Sequence, residues 1–107
     1  MKQLLDELQK RLDPTPRRTP HGYMKRVPRI VCADGFSVSV QADIGNYCSP
    51  RNDEGPWNAA EVGFPSEASI RLMEWAEDAA RPTETVYGYV PLAVIALVIE
   101  DHGGFKL

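Results

Sequence analysis

Apolar residues near the start of the chain fall at Leu4, Leu5, Leu8 and Leu12, one stripe of a 3.6-residue period. Gln3, Asp6, Glu7 and Lys10 occupy the remaining surface. The pattern predicts an amphipathic helix over Lys2–Leu12. Asp13-Pro14 ends it, because the residue before a proline is pushed out of the α region. A helix this short is marginal in isolation, so its leucines must pack on the body of the chain, on a second copy or on a partner. Pro14, Pro16 and Pro20 punctuate the stretch from Pro14 to Gly22, a composition that predicts an extended, polyproline-like tether.

Beyond Val27 the period changes to two. Phe36, Val38 and Val40 alternate with Ser37, Ser39 and Gln41, and the run before them, Arg29–Ala33, is also suited to a strand. Asp34-Gly35 between the runs predicts a β-hairpin with a two-residue type I′ turn. That turn pairs Ala33 with Phe36, Cys32 with Ser37 and Val31 with Val38. It puts Val31 in the core and Cys32 on the hydroxyl-bearing face. Ile44 to Asn58, broken by Gly45, Pro50, Gly55 and Pro56, reads as a long loop bracketed by Tyr47, Cys48 and Trp57.

Ala60–Phe64 is expected to be a short strand. Ser66 is placed to cap a helix running to about Asp78, with Ile70, Leu72, Met73 and Trp75 or Ala76 on its apolar side. Thr85–Tyr89 reads as a fourth strand. Pro91 suits the first position of a last helix, apolar almost all round from Leu92 to Ile99 and stopped by Gly103-Gly104. The Val and Ile content would also fit a strand; as a helix it is expected inside its own fold, with a dimer seam as the alternative. The order of elements predicts an α+β fold: a small antiparallel sheet of three or four strands with helices on one face. An N-terminal helix and basic proline-rich arm at residues 1–26 would precede a single compact domain at residues 27–107.

Composition agrees with one small globular unit: 107 residues, 43% hydrophobic and 25% charged, which excludes wholesale disorder. The net charge of -3 conceals a split along the chain. Residues 1–29 hold eight Lys/Arg against three acids, and residues 30–107 hold four against twelve. A basic arm on an acidic body either folds back on that body or reaches for an acidic partner or phosphates, and folding back is the expectation. The longest apolar run, Val90–Ile99, is 10 residues, where a membrane span needs about 20. With no secretory leader pattern in the first residues, a cytoplasmic location with Cys32 and Cys48 as reduced thiols is expected.

Candidate chemistry is sparse. His21, Cys32, Cys48 and His102 are the metal-ligating residue types, but their spacing has none of the close pairs of structural zinc sites. A metal-binding module would require these four to converge in space. A Cys48–His nucleophile pair has no flanking pattern to support it, and Asp101-His102 has no serine elbow to serve. His102 is expected to interact with the last carbonyls of its helix. Asn52-Asp53-Glu54-Gly55 lacks the ligand alternation of an EF-hand and reads as a turn. No phosphate-cradling glycine motif occurs. The chain is therefore expected to have no catalytic residues and no cofactor.

Binding fits more of the chain. Leu4 and Leu8 on the first helix, with Tyr47 and Trp57 in the long loop, are the residues expected to meet a protein partner. The alternative is nucleic acid held by Arg17, Arg18, Lys25 and Arg26, with Tyr23 to stack on a base.

Several segments together carry a family resemblance. They are Val31–Ala42 (VCADGFSVSVQA), Tyr47–Arg51 (YCSPR), Glu61–Ser66 (EVGFPS), Val86–Pro91 (VYGYVP) and His102–Gly104 (HGG). Over roughly residues 27–104 the chain resembles small proteins encoded by bacteriophages and prophages of proteobacteria. The resemblance implies an accessory protein acting in the host cytoplasm by binding a host protein or complex, as anti-CRISPR and other counter-defence inhibitors do. It transfers no residue role.

Overall fold

A computed structural model describes residues 1–107. Helix α1 spans Lys2–Leu12, with i,i+4 pairs Lys2–Asp6 (2.9 Å) and Glu7–Arg11 (3.2 Å) on its outer side. Leu8 and Leu12 are fully buried, and Leu4 and Leu5 are packed against the same core. The stripe that needed a cover is thus covered by the chain itself, through contact between α1 and the last helix. The leucines of α1 thus belong to the same core as the sheet and the last helix.

The expected extended tether is corrected by a one-turn helix, α2, at Pro14–Arg17. Proline at the first helical position presets φ, and the Asp13 side chain accepts the Thr15 N–H at 2.9 Å. The chain then doubles back. Thr19 N–H donates to Tyr23 O at 2.8 Å, and Arg18 bridges to Met24.

Strands β1 (Ile30–Val31), β2 (Ser37–Gln41), β3 (Ala59–Gly63) and β4 (Val86–Pro91) form one antiparallel sheet in the order β1-β2-β3-β4. The fold is α+β, as the pattern of elements predicted. The hairpin lies where Asp34-Gly35 marks it, but its register differs by one residue. Ile30 faces Val38 and Val31 faces Ser37, and Cys32 N–H donates to Phe36 O at 2.7 Å. The loop therefore has three residues, with Gly35 at φ 96° in the left-handed region and Asp34 Oδ1 accepting the Phe36 N–H at 2.9 Å. Because side chains alternate faces, the shift turns Cys32 into the core and leaves Val31 exposed, the reverse of the expectation.

Val40 pairs with Val62 and Gln41 with Glu61. Between β3 and β4 the pairing runs Ala60↔Val90, then Val62↔Tyr87. Two residues, Gly88 and Tyr89, thus stand opposite Glu61 in a β-bulge. Both sheet edges are guarded by irregular chain. On the β1 side, Lys106 N–H donates to Val31 O and Ala33 N–H to Gly104 O, both at 2.9 Å. On the β4 side, Glu77 N–H donates to Val86 O at 3.0 Å.

The helix expected from Ser66 to Asp78 is a shorter 3₁₀ segment, Ile70–Trp75. Ser69 makes no capping bond. Ile70, expected on the apolar side, is 92% exposed, and Leu72 alone of the segment is buried. Residues 70, 72, 73 and 75 do not make a 3.6-period stripe long enough to hold an α-helix on the core. Helix α3, Leu92–Asp101, does form. It buries Leu92, Ile95, Ala96, Val98 and Ile99, packs against β4, and is closed by Gly103 and Gly104, both at positive φ. No helix is long and apolar enough to cross a membrane.

Candidate binding surface

The residues singled out by sequence separate into two groups. Leu8 lies fully inside the core and Leu4 is half-buried. Trp57 is buried beside α1, where Gln9 Nε2 donates to its main-chain carbonyl at 2.7 Å. Leu8 and Trp57 are therefore corrected from contact residues to core residues, because the amphipathic helix and the loop aromatic satisfy each other's need for burial. Tyr47 remains at the surface.

The basic arm is divided in the same way. The Arg17 guanidinium is buried. It donates to the carbonyls of Leu12 (2.8 Å), Lys25 (3.0 Å) and Ala42 (3.0 Å), and sits 3.8 Å from Asp43. Burial pulls its pKa below the usual guanidinium value, a tendency opposed by Asp43 and Asp53. Arg17 is thus a structural tie and not a phosphate ligand. Arg18 donates to Asp53 O at 2.9 Å, while Tyr23, Lys25 and Arg26 stand exposed.

Cys32 and Cys48 are free and buried. Burial raises both thiol pKa values. Asp34 adds to the rise at Cys32, and the Cys48 thiol donates to the Asp43 carbonyl at 3.1 Å. His21 lies exposed in the arm. The ring of His102 does not turn to the last carbonyls of α3. It stacks on Phe36 with centroids 3.9 Å apart, and Nδ1 donates to Asp34 Oδ2 at 2.7 Å, with Glu67 at 3.7 Å. The two cysteines and two histidines do not come together, and no group of three or more His, Cys, Asp or Glu is placed to hold a metal ion.

What the fold does assemble is an exposed aromatic corner. Tyr47 lies over Gly88. A Cβ at that glycine would stand 3.2 Å from the Tyr47 Cβ, so the missing side chain makes room for the tyrosine. The Tyr47 N–H donates to Glu61 Oε1 at 3.2 Å, and the Tyr89 N–H donates to Tyr47 O at 2.9 Å. The two rings are 5.8 Å apart at 36°, and the Arg51 guanidinium lies 5.3 Å above the Tyr47 ring. Tyr89 takes φ 55°, in the left-handed region, and its side chain is 48% exposed. Only Phe64, at φ 49° and also exposed, shares that conformation among non-glycine residues.

From Tyr47 the exposed apolar surface continues to Ile44, whose carbonyl accepts the Arg51 Nε–H at 3.1 Å. Ile44 and Tyr23 line a small cleft of about 280 Å³ together with Met24, Asp43 and Asp53. A second cleft, about 380 Å³, lies among Gln9, Asp13, Pro14, Glu54, Pro56 and Trp57. Sequence reasoning found Tyr47 but missed Tyr89, Arg51 and Ile44. The available signal was Tyr87-Gly88-Tyr89, since a glycine inside a strand pattern marks a bulge or a close approach. No family model, curated protein or solved structure matches the chain.

Proposed function

We propose that the chain is a non-enzymatic accessory protein that binds a host protein or complex, and that its docking surface is the Tyr47–Tyr89–Arg51 corner. The observation that carries this reading is Tyr89. A side chain held exposed at a φ that disfavours any L-residue is retained against a cost of roughly 1 kcal/mol. Tyrosine and arginine are the residue types that dominate protein–protein contact energy. The tyrosine pair is also fixed in place by main-chain bonds, which lowers the ordering cost of docking. Buried thiols with raised pKa values and a histidine tied to Asp34 favour binding over nucleophilic catalysis. The resemblance to phage and prophage proteins favours a bacterial host partner, with counter-defence inhibition as the specific role.

The test is affinity capture from a proteobacterial host lysate with quantitative mass spectrometry. The wild-type chain is compared with Tyr47→Ala/Tyr89→Ala and with the surface control Lys2→Ala/Asp6→Ala. Proteins retained by wild type and control but lost from the tyrosine variant support the reading. An unchanged protein set, or binding of nucleic acid in place of protein, overturns it.

A further inference from the structure

We propose that the cleft between Tyr23 and Ile44 receives one lysine or arginine side chain of the partner, an inference that rests on the protein-docking reading above. The cleft, about 280 Å³ and open to solvent, has room for a single extended side chain. Met24 and Ile44 offer apolar walls for a methylene stem, and the exposed Tyr23 ring at the lip offers its face to a cation. Asp43 and Asp53 line the same space.

The fold leaves these carboxylates incompletely neutralised. Arg17 approaches Asp43 at 3.8 Å, and Arg18 donates to the main-chain carbonyl of Asp53, not to its carboxylate. Asp53 Oδ1 accepts the Ile44 N–H at 2.9 Å, and its other oxygen accepts no bond within the chain. The cleft also adjoins the tyrosine corner, because Arg51 joins the Ile44 carbonyl to the Tyr47 ring. A partner seated on the tyrosines therefore presents its neighbouring side chain here. The Asp43 and Asp53 carboxylates that line the cleft favour a basic one.

The test needs no partner. The full-length ¹⁵N-labelled chain is titrated with Nα-acetyl-lysine amide, Nα-acetyl-arginine amide and the uncharged Nα-acetyl-norleucine amide. The amide resonances of Gly22, Ile44 and Gly45 are expected to move with the cationic probes at least about fivefold more than with norleucine, and less at high salt. Asp53→Asn keeps an acceptor for the Ile44 N–H and is expected to abolish the cationic preference. Equal response to norleucine, no response, or a response unchanged in Asp53→Asn overturns the cleft as a cation receptor. Tyr47→Ala/Tyr89→Ala is expected to leave this titration intact. Failed titration with intact capture therefore sinks the cleft alone, and failed capture with intact titration sinks the docking surface.

Discussion

Tyr89 and Gly88 together show how two adjacent residues place a surface. The bulge leaves Tyr89 at φ 55°, and the absent Cβ of Gly88 admits Tyr47. If Tyr89 is kept for its side chain, Tyr89→Gly will be more stable than Tyr89→Ala by about 1 kcal/mol in urea unfolding, because glycine alone is free of the left-handed penalty. Both variants are expected to lose partner capture equally. A Tyr89→Gly chain no more stable than Tyr89→Ala would remove the argument from strain. Gly55 is a different case. It takes φ 65°, and a Cβ there would meet the buried Trp57 ring at 2.8 Å. Gly55→Ala is therefore expected to cost about 1–3 kcal/mol, read as a lowered urea midpoint. These residue-scale demands were only partly legible. A glycine in a strand can be seen in sequence, but what fills the space above it depends on a loop some forty residues away.

At the scale of elements, α1 was readable because its apolar positions repeat over enough turns to outweigh any local competitor, and α3 because Pro91 and Gly103-Gly104 bracket its apolar run. The hairpin was readable as to place but not as to register. Asp-Gly is compatible with a two-residue or a three-residue loop, and the choice turned on bonds from Asp34 to Phe36 and His102. With Cys32 and Cys48 both inside, neither thiol is expected to react with a disulfide reagent in the native state. Both should titrate once the chain unfolds. Rapid native labelling of Cys32 would restore the other register.

The α2 turn is secured chiefly by Arg17, whose guanidinium satisfies three main-chain carbonyls. Arg17→Ala leaves those carbonyls unpaired and is expected to lower stability by about 2–4 kcal/mol. Arg17→Lys should recover only part of this, since an ammonium cannot reproduce the fork. A near-neutral Arg17→Ala in urea unfolding would show that the arm is not anchored there.

Across the whole molecule, both edges of the open sheet are partly covered by the chain's own irregular segments, and the C-terminal tail is clasped by charge. Backbone and His102 hydrogen bonds hold the Asp34 carboxyl below its ordinary value of 3.8, and Arg71 does the same for Asp101 through bonds of 2.6 and 3.1 Å. A carboxyl whose folded pKa is depressed stabilises the fold above the unfolded value and loses that contribution as pH falls through the folded one. Stability should therefore decline as pH drops from the ordinary carboxylate value of 3.8 towards the lower folded values. Asp34→Asn and Asp101→Asn are each expected to flatten that decline in acid titrations followed by circular dichroism. Variants that unfold along the wild-type acid curve would show that these contacts carry no linkage.

The amino-acid order by itself determined α1, α3 and the places of the strands, where the hairpin turns and that the fold is α+β, because periodicity and turn chemistry act over a few neighbouring residues. It did not show the α2 turn or that Ile70–Trp75 is a short 3₁₀ segment. The three-dimensional arrangement decided the rest: which face Cys32 takes, that Leu8 and Trp57 are interior, that Arg17 ties the arm to the body, and that Tyr47 meets Tyr89. Each of these is a contact between residues far apart in the chain, and its free energy exists only once both partners have been brought to the same place.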